Sequence, residues 1–294
     1  MVIVNYKAGQ LANRLFHFAH FISNSIEYNY TLINPSFNDY KQFFTSTSSN
    51  NFNGLKISTQ ITPADKLDGL IRKSMLGMGK VLVNPLKKTP LYHFHDVQDY
   101  DKQDVCYDMN DPEFVDSAKK RLTFIDGWLY RDFRNFQKHA PVLREIFTPV
   151  PEYQEEIEKT MAHCRQLGDV VIGVHIRRGD YKTFLNGCWY YEDEVYAAKM
   201  RELMELFAQE NKTCVFLICS NEKINTDNYK GINIVTGDRH FIVDLYCLSQ
   251  CDYLIGPPST FTMWASFYGE TPLCTLDTAT KKVTPADFAV VKEG

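Results

Sequence analysis

One run of residues constrains the fold of this 294-residue chain more than any other, Val170-Val-Ile-Gly-Val-His-Ile-Arg-Arg-Gly-Asp-Tyr181. Its first half is apolar and rich in β-branched side chains, which is typical of a strand buried on both faces of a parallel sheet. Four polar side chains follow at the carboxyl end of that strand: His175, Arg177, Arg178 and Asp180. Because open α/β sheets bind ligands beyond the carboxyl ends of their strands, we expect a binding site here.

The two adjacent arginines, Arg177 and Arg178, predict an anion site. Guanidinium groups at a strand end are costly to bury unless anions meet them, and their planar donors suit phosphate. Adjacent strand residues point to opposite faces, so the two side chains would need separate partners. The alternative is that both arginines only pair with local carboxylates, such as Asp180 and Asp193.

Strands and helices alternate throughout the second half of the sequence. Apolar runs predict strands over 170–176, 213–219, 231–235 and 253–255, with a short apolar piece over 272–276. The stretches between them predict helices over 152–167, 190–208, 241–249 and 260–267. This alternation is typical of a doubly wound parallel sheet.

The first half opens with a similar unit. A strand over 2–4 leads through a glycine turn into a helix whose apolar residues recur at helical spacing. This order places backbone N–H groups at a cleft. A second strand is predicted over 122–128 and a helical region, interrupted by a proline, over 133–147, whereas the polar stretch 45–53 predicts a loop.

The boundary between the halves is marked by Thr148-Pro-Val-Pro151. Two prolines so close together break a helix and stiffen the connection. We therefore predict an α/β protein of two Rossmann-like domains, residues 1–150 and 151–294, that face each other across a cleft.

Polar residues also end two further strands of the second half. Ser220 and Asn221 follow one strand, and Ser259 and Thr260 stand where another turns into a helix. Such hydroxyls either cap the helix or, with the free N–H groups, hold a phosphate. Asp244, in the first turn of a helix, is either a dipole partner or a ligand of a ribose or base. Three such strand ends in one sheet favour a nucleotide site.

Several classes of protein are disfavoured. A net charge of −4 argues against nonspecific coating of nucleic acid. The sequence contains neither a Walker A motif nor a G-x-G-x-x-G after a strand, which argues against a P-loop enzyme and a conventional NAD site.

Two short clusters resemble metal sites. Asp99-Tyr-Asp101 is a literal D-x-D, and His93-Phe-His-Asp96 could form a metal corner. A three-residue match arises easily by chance, and a lone cluster in a loop is more often structural. We therefore predict no metal site.

The eight cysteines form no C-x-x-C pair and several lie in apolar runs. The first residues enter a strand at once, without a basic region or a long apolar region, and no apolar run is long enough to span a membrane. We expect a cytoplasmic protein with reduced thiols and at most peripheral membrane contact.

The motif His175-x-Arg-Arg-x-Asp-Tyr181 resembles the donor-binding motif of the α1,2-, α1,6- and protein O-fucosyltransferase superfamily, and in particular of the α1,2-fucosyltransferases of glycosyltransferase family 11. Four more segments are similar to motifs of that family and occur in its order: 9–16, 126–130, 244–251 and 258–264.

The resemblance implies a GT-B fold with GDP-fucose bound by the C-terminal domain and a glycan or oligosaccharide acceptor on the side of the N-terminal domain. It implies an inverting, metal-independent transfer of L-fucose to a glycan hydroxyl in α1,2 linkage. GDP-fucose would be a co-substrate, and no cofactor would be needed.

The resemblance also implies residue roles. Arg177 would be the main stabiliser of the leaving diphosphate, supported by Arg178, Asn13 and Arg14. The catalytic base is open between His175 and Asp180. Trp128 and Tyr130 would face the acceptor. The nucleotide-binding residues would be Gly9, Gln10, Asn13, Arg14, Arg177, Ser220, Asn221, Asp244, Ser259, Thr260 and Phe261.

Departures from the family pattern leave three alternatives open. Gln10 and Ala12 stand where glycine is more frequent, and Arg14 stands where glutamine is usual. The alternatives are a GT-B transferase using another nucleotide sugar, a catalytically idle protein that binds nucleotides or glycans, and a metal-dependent transferase that uses Asp99 and Asp101.

Overall fold

Two five-stranded parallel sheets organise the chain. A computed structural model describes residues 1–62, 70, 71, 74 and 91–294. The chain divides into a first unit, Met1–Val150, and a second unit, Pro151–Lys292, while Glu293 groups with the first and Gly294 with the second. Each unit contains one of the two sheets, so each can be described by itself.

The first unit has the strand order β3-β2-β1-β6-β4, with a separate parallel pair, β5 and β7. Its strands are β1 (Val2–Val4), β2 (Leu32–Ile33), β3 (Ile57–Ser58), β4 (Tyr92–Asp96), β5 (Tyr107–Asp108), β6 (Leu122–Asp126) and β7 (Tyr130–Arg131). Its described helices of five or more residues with α geometry are α1 (Leu11–Tyr28), α2 (Thr45–Ser49), α3 (Gln98–Gln103), α4 (Pro112–Lys120), α5 (Phe133–Lys138) and α6 (Ala140–Ile146).

The second unit has the strand order β10-β9-β8-β11-β12. Its strands are β8 (Val170–Ile176), β9 (Cys214–Ser220), β10 (Ile234–Val235), β11 (Tyr253–Gly256) and β12 (Leu273–Thr275). Its α-helices are α7 (Pro151–Leu167), α8 (Asp193–Ala208), α9 (Phe241–Ser249) and α10 (Thr260–Gly269).

Strand β8 lies at the centre of the second sheet, and all seven of its residues are buried. Its neighbours are β9 on one side, where His175 pairs with Cys219, and β11 on the other, where Val174 pairs with Ile255. The chain runs outward from β8 to β9 and β10 and then returns to add β11 beside β8. The strand order therefore reverses between β8 and β11, which is where an open α/β sheet forms its ligand crevice.

The strongly patterned predictions are confirmed. The strands over 2–4 and 170–176 coincide with β1 and β8, and the helix over 241–249 coincides with α9. The apolar side chains of α1, such as Leu15, Phe18 and Ile22, are buried, which is why this segment is helical and packed.

Other predictions need correction. The polar stretch 45–53 is not entirely a loop, because it contains α2, and the cluster 93–96 lies in β4 rather than in a loop. By contrast, the interruption predicted at the proline of 133–147 is confirmed, because the region consists of α5 and α6 and Pro141 stands in the first turn of α6, where proline starts a helix. The strands predicted over 122–128 and 231–235 are shorter, over 122–126 and 234–235.

Among the helices of the described residues, none combines the length with the apolar composition that a membrane-spanning helix requires.

Candidate functional site

The turn after β8 is held by side chains from the end of β9. The backbone N–H of Arg178 donates to Oδ1 of Asn221 at 3.0 Å, and that of Gly179 donates to Oε1 of Glu222 at 3.2 Å. The Ser220 hydroxyl in turn accepts the backbone N–H of Glu222 at 3.1 Å. Gly179 has φ +55°, and a Cβ there would lie 2.8 Å from the Asn221 amide nitrogen. Only glycine fits this turn without strain.

Arg178 is a buried structural arginine. Its guanidinium forms an ion pair with Asp193, in the first turn of α8, and both side chains are about nine-tenths buried. The same carboxylate accepts the Tyr229 hydroxyl at 2.7 Å and the Asn228 amide at 2.5 Å. Burial alone would raise the pKa of Asp193, but these hydrogen bonds and Arg178 lower it below its usual value. Arg178 therefore pairs with a local carboxylate, Asp193, which is the alternative to an anionic ligand that the sequence left open.

Arg177 also has a local partner, but an exposed one. Its Nε and Nη2 donate to the two oxygens of Asp180 at 3.2 and 2.8 Å, and its guanidinium lies 5.0 Å from the centre of the Tyr181 ring. The Asp180 side chain is 57% exposed, and Arg177 lowers the pKa of this carboxyl. Solvent-exposed ion pairs are worth little, so an anionic ligand can take the place of Asp180.

His175 is buried at the end of β8. Burial and the nearby Arg177 charge lower the pKa of the imidazole to about 3, so it is neutral near pH 7. Among the described residues its Nδ1 has no hydrogen-bond partner, and its ring lies 5.2 Å from that of Phe261. A neutral imidazole of such low basicity is a poor general base.

The loop after β11 is tied to the same turn. The Tyr181 hydroxyl donates to the Pro258 carbonyl oxygen at 2.5 Å. Ser259 is the N-cap residue of α10, and its hydroxyl accepts the backbone N–H of Phe261 at 3.3 Å. Ser259 therefore acts as a capping residue, and the predicted nucleotide contact Thr260 is the first residue of the helix that it caps.

Asp244 is bound by an arginine that the sequence analysis did not identify. Nε of Arg239 donates to Oδ1 of Asp244 at 2.8 Å, and its Nη2 donates to the Ile218 carbonyl oxygen at 2.9 Å. Both charged side chains are buried, and burial raises the pKa of Asp244 in spite of this partner. Arg239 lies in the short polar stretch before α9, where no helical or strand periodicity in the sequence indicates a buried position.

In the first unit, a pocket of about 280 Å³ lies beside the turn between β1 and α1. Gly9 has φ +52°, and a Cβ at this position would lie 2.5 Å from the Asn13 amide nitrogen. Any other residue here would be strained by the positive φ and would have to displace the Asn13 amide. The pocket is lined by Tyr6, Ala8, Gly9, Asn13, Asp101 and Trp128.

Arg14, which was expected to support the leaving group, is engaged within the first unit. Its guanidinium donates to the carbonyl oxygens of Gly9 and Ser36 at 3.1 and 3.0 Å and to the Asp39 carboxylate at 2.7 Å. The predicted nucleotide residue Gln10 precedes α1 as its N-cap residue without a capping side-chain bond. These contacts give Arg14 a role in holding the glycine turn.

The aromatic segment after β6 is only partly as predicted. Trp128 lines the pocket, but Tyr130 is completely buried and its hydroxyl donates to the His95 carbonyl oxygen at 2.9 Å. The expectation that Tyr130 faces an acceptor is wrong, because this ring belongs to the core. Asp101 accepts the backbone N–H groups of Trp128 and Leu129 at 2.9 Å each, so it positions this segment.

Comparison with known proteins gives related sequences over most of the chain. The sequence model described as Glycosyl transferase family 11 matches residues 80–287. An alpha-1,2-colitosyltransferase of Escherichia coli is 25% identical over 281 residues, which cover 90% of this chain and 87% of that protein. Galactoside alpha-(1,2)-fucosyltransferase 1 of Homo sapiens is 30% identical over 139 residues, 42% of this chain and only 37% of the human protein.

Solved structures share the fold. A mutant of Arabidopsis thaliana FUT1 in complex with GDP has a TM-score of 0.61 at 16% identity, over 100% of this chain and 75% of that chain. Fucosyltransferase NodZ from Bradyrhizobium has a TM-score of 0.60 at 14% identity, over 94% of this chain and 95% of that chain. The predicted α/β fold of the GT-B class is thereby confirmed.

The two arginine partners are expected to differ in their effect on stability. Asp193→Asn leaves a buried guanidinium without its counter-charge, so we expect it to lower the free energy of unfolding by about 3 kcal/mol. Asp180→Asn removes an exposed partner and should change it by less than about 1 kcal/mol. Urea denaturation of both variants measures the difference, and equal losses would contradict the structural assignment of Arg178.

Proposed function

Because this chain belongs to glycosyl transferase family 11, we propose that it transfers L-fucose from GDP-fucose to a hydroxyl group of a glycan. We further propose that the transfer inverts the configuration of the sugar, needs no metal ion, and forms an α1,2 linkage. The observation that carries the proposal is the Arg177–Asp180 pair. The guanidinium can exchange its exposed carboxylate for an anionic ligand, and it follows the strand where the order of the parallel sheet reverses. The GDP complex of the Arabidopsis neighbour supports the choice of nucleotide.

We assign the donor to the second unit. As GDP departs, the sugar becomes cation-like and negative charge builds on the diphosphate, where Arg177 would stabilise it. Arg178, whose guanidinium is held by Asp193, would keep the loop in place without touching the donor. The remaining nucleotide contacts that we propose are Ser220, Asn221, Asp244, Ser259, Thr260 and Phe261, with Arg239 holding Asp244.

Neither candidate for the catalytic base is strongly basic. The pKa of His175 is about 3, and Arg177 lowers that of Asp180. We propose that the acceptor hydroxyl loses its proton late, to the departing diphosphate or to water, after the bond to GDP has largely broken, when little help from a base is needed. His175 would then act by packing against Phe261 and by staying neutral beside Arg177.

We assign the acceptor to the pocket of the first unit. Trp128 offers an aromatic surface for the apolar face of a sugar ring, while Asn13, Tyr6 and Asp101 supply polar groups around it. Gly9 and Asn13, first expected at the nucleotide, line this pocket, and we propose that they contact the acceptor.

A second donor is favoured by the Escherichia coli relative, which is named as an alpha-1,2-colitosyltransferase. Colitose is fucose without its 3-hydroxyl group, so the same leaving-group chemistry applies to both sugars.

We propose a cytoplasmic location as well, which the eight free cysteines support, since reduced thiols are usual there.

The donor is tested first by binding. Isothermal titration without added metal should give micromolar-range affinity for GDP and GDP-fucose and weaker affinity for GDP-mannose. Transfer from GDP-fucose and GDP-colitose to a galactoside then ranks the two donor sugars by kcat/KM. If no guanine nucleotide binds, the proposed donor is wrong; if GDP-fucose binds but is neither transferred nor hydrolysed, the protein is a binding protein.

Removal of the proposed leaving-group stabiliser should affect the chemical step. Arg177→Ala is expected to lower kcat by about 10²- to 10³-fold, because its interaction strengthens as charge develops on the diphosphate. Lys182→Ala, which removes an exposed cation from the same loop, is the matched control and should retain kcat within about twofold. An unchanged kcat in Arg177→Ala would refute this role.

The low pKa of His175 predicts the shape of the pH profile. The folded-state pKa is lowered from 6.5 to about 3, so the imidazole is neutral throughout the range from pH 5 to 9. We therefore expect kcat/KM to show no ionisation near pH 6.5 that depends on this residue. Profiles of the unmodified enzyme and His175→Gln check this, and a limb near pH 6.5 that disappears in the variant would contradict it.

A further inference from the structure

After β8, two hydrogen-bond donors of the kind that bind phosphate each contact an exposed carboxylate. The Arg177 guanidinium binds Asp180, and the backbone N–H of Gly179 binds Oε1 of Glu222 at 3.2 Å. Gly179 has a positive φ, and backbone N–H groups in such turns are frequent anion ligands. The site therefore already holds negative charge where an anionic ligand is expected.

Glu222 is placed there by the end of β9. Its own backbone N–H is held by the Ser220 hydroxyl at 3.1 Å, while its side chain reaches across to Gly179. No lysine or arginine in the described part of the chain lies within 4.0 Å of the Glu222 carboxylate. Because the residue is exposed, rotation of its side chain frees the Gly179 N–H at small cost.

We propose that Glu222 occupies a hydrogen-bonding position of the donor diphosphate before the donor binds and is displaced when it binds. The proposal rests on GDP-fucose being the donor, as argued above. One N–H cannot serve a carboxylate and a phosphate oxygen together, and the two like charges repel each other at such short range. Glu222 would therefore weaken the binding of GDP-fucose and favour the release of GDP after transfer.

A purely structural role makes a different prediction. If Glu222 only stabilises the turn, its negative charge is unimportant and a neutral side chain with the same shape should serve as well. Glu222→Gln keeps an oxygen that can accept the Gly179 N–H but removes the charge. This variant therefore separates competition for an anion site from support of the turn.

The test compares GDP with guanosine, which lacks phosphate. By isothermal titration, Glu222→Gln should bind GDP about three- to tenfold more tightly than the unmodified protein, as expected for loss of one weak competing contact. Its affinity for guanosine should be unchanged, and the gain for GDP should shrink as salt is raised. Asp227→Asn, which removes another exposed carboxylate between β9 and β10, is the control and should leave GDP affinity within about twofold.

Three outcomes overturn the proposal. Glu222→Gln could bind GDP no more tightly than the unmodified protein, or it could gain equally for guanosine, which would place the effect away from the diphosphate. If the folded, unmodified protein does not bind GDP at all, the donor assignment itself fails and this inference fails with it. Because the first two outcomes require measurable GDP binding, they are distinct from that failure.

Discussion

Two positive charges at the end of one buried strand are the constraint on which the second unit depends. Arg177 pairs with the exposed Asp180 and Arg178 with the buried Asp193, so separate counter-ions serve the two charges. The side chain that turns inward must be neutralised by a buried carboxylate, and Asp193 supplies it from the first turn of α8. Tyr229 and Asn228 bind the same carboxylate, so one charge pair joins β8, α8 and the turn before β10.

The surroundings of β8 place this arrangement where open α/β sheets form a ligand crevice. Loops from β9 and β11 meet the turn after β8 through Asn221 and Pro258, at the reversal of the strand order. The first unit also contains a strand, a glycine turn and a helix in sequence, and its strand order reverses between β1 and β6. There, however, Arg14 is used to hold the turn, which leaves the amide of Asn13 and the ring of Trp128 beside the pocket.

The sequence predicted the parts of the fold whose physical cause is local. The β-branched run of β8 and the helical spacing in α1 each specify burial by themselves, so their bounds were predicted well. Tyr130 was misjudged because an aromatic residue in a motif can serve either a ligand or a core, and only the packing around it decides. Arg239 was missed for a related reason, since its partner Asp244 is brought to it by tertiary structure. The two carboxylate partners Asp180 and Asp193 were both named in advance, but their very different burial could not be read from the sequence.

That difference in burial decides which arginine can do chemistry. If Arg178 turned to a ligand, Asp193 would stay behind as a buried charge without its partner, at a cost of several kcal/mol by general experience with buried pairs. If Arg177 exchanges Asp180 for a diphosphate, the carboxylate is left in water, where it is well solvated and the lost pair is worth no more than about 1 kcal/mol. Under the proposed function, Arg178 therefore has a structural role and Arg177 is the arginine that contacts the diphosphate. The division follows from where their carboxylates lie, because the two side chains themselves have the same chemistry.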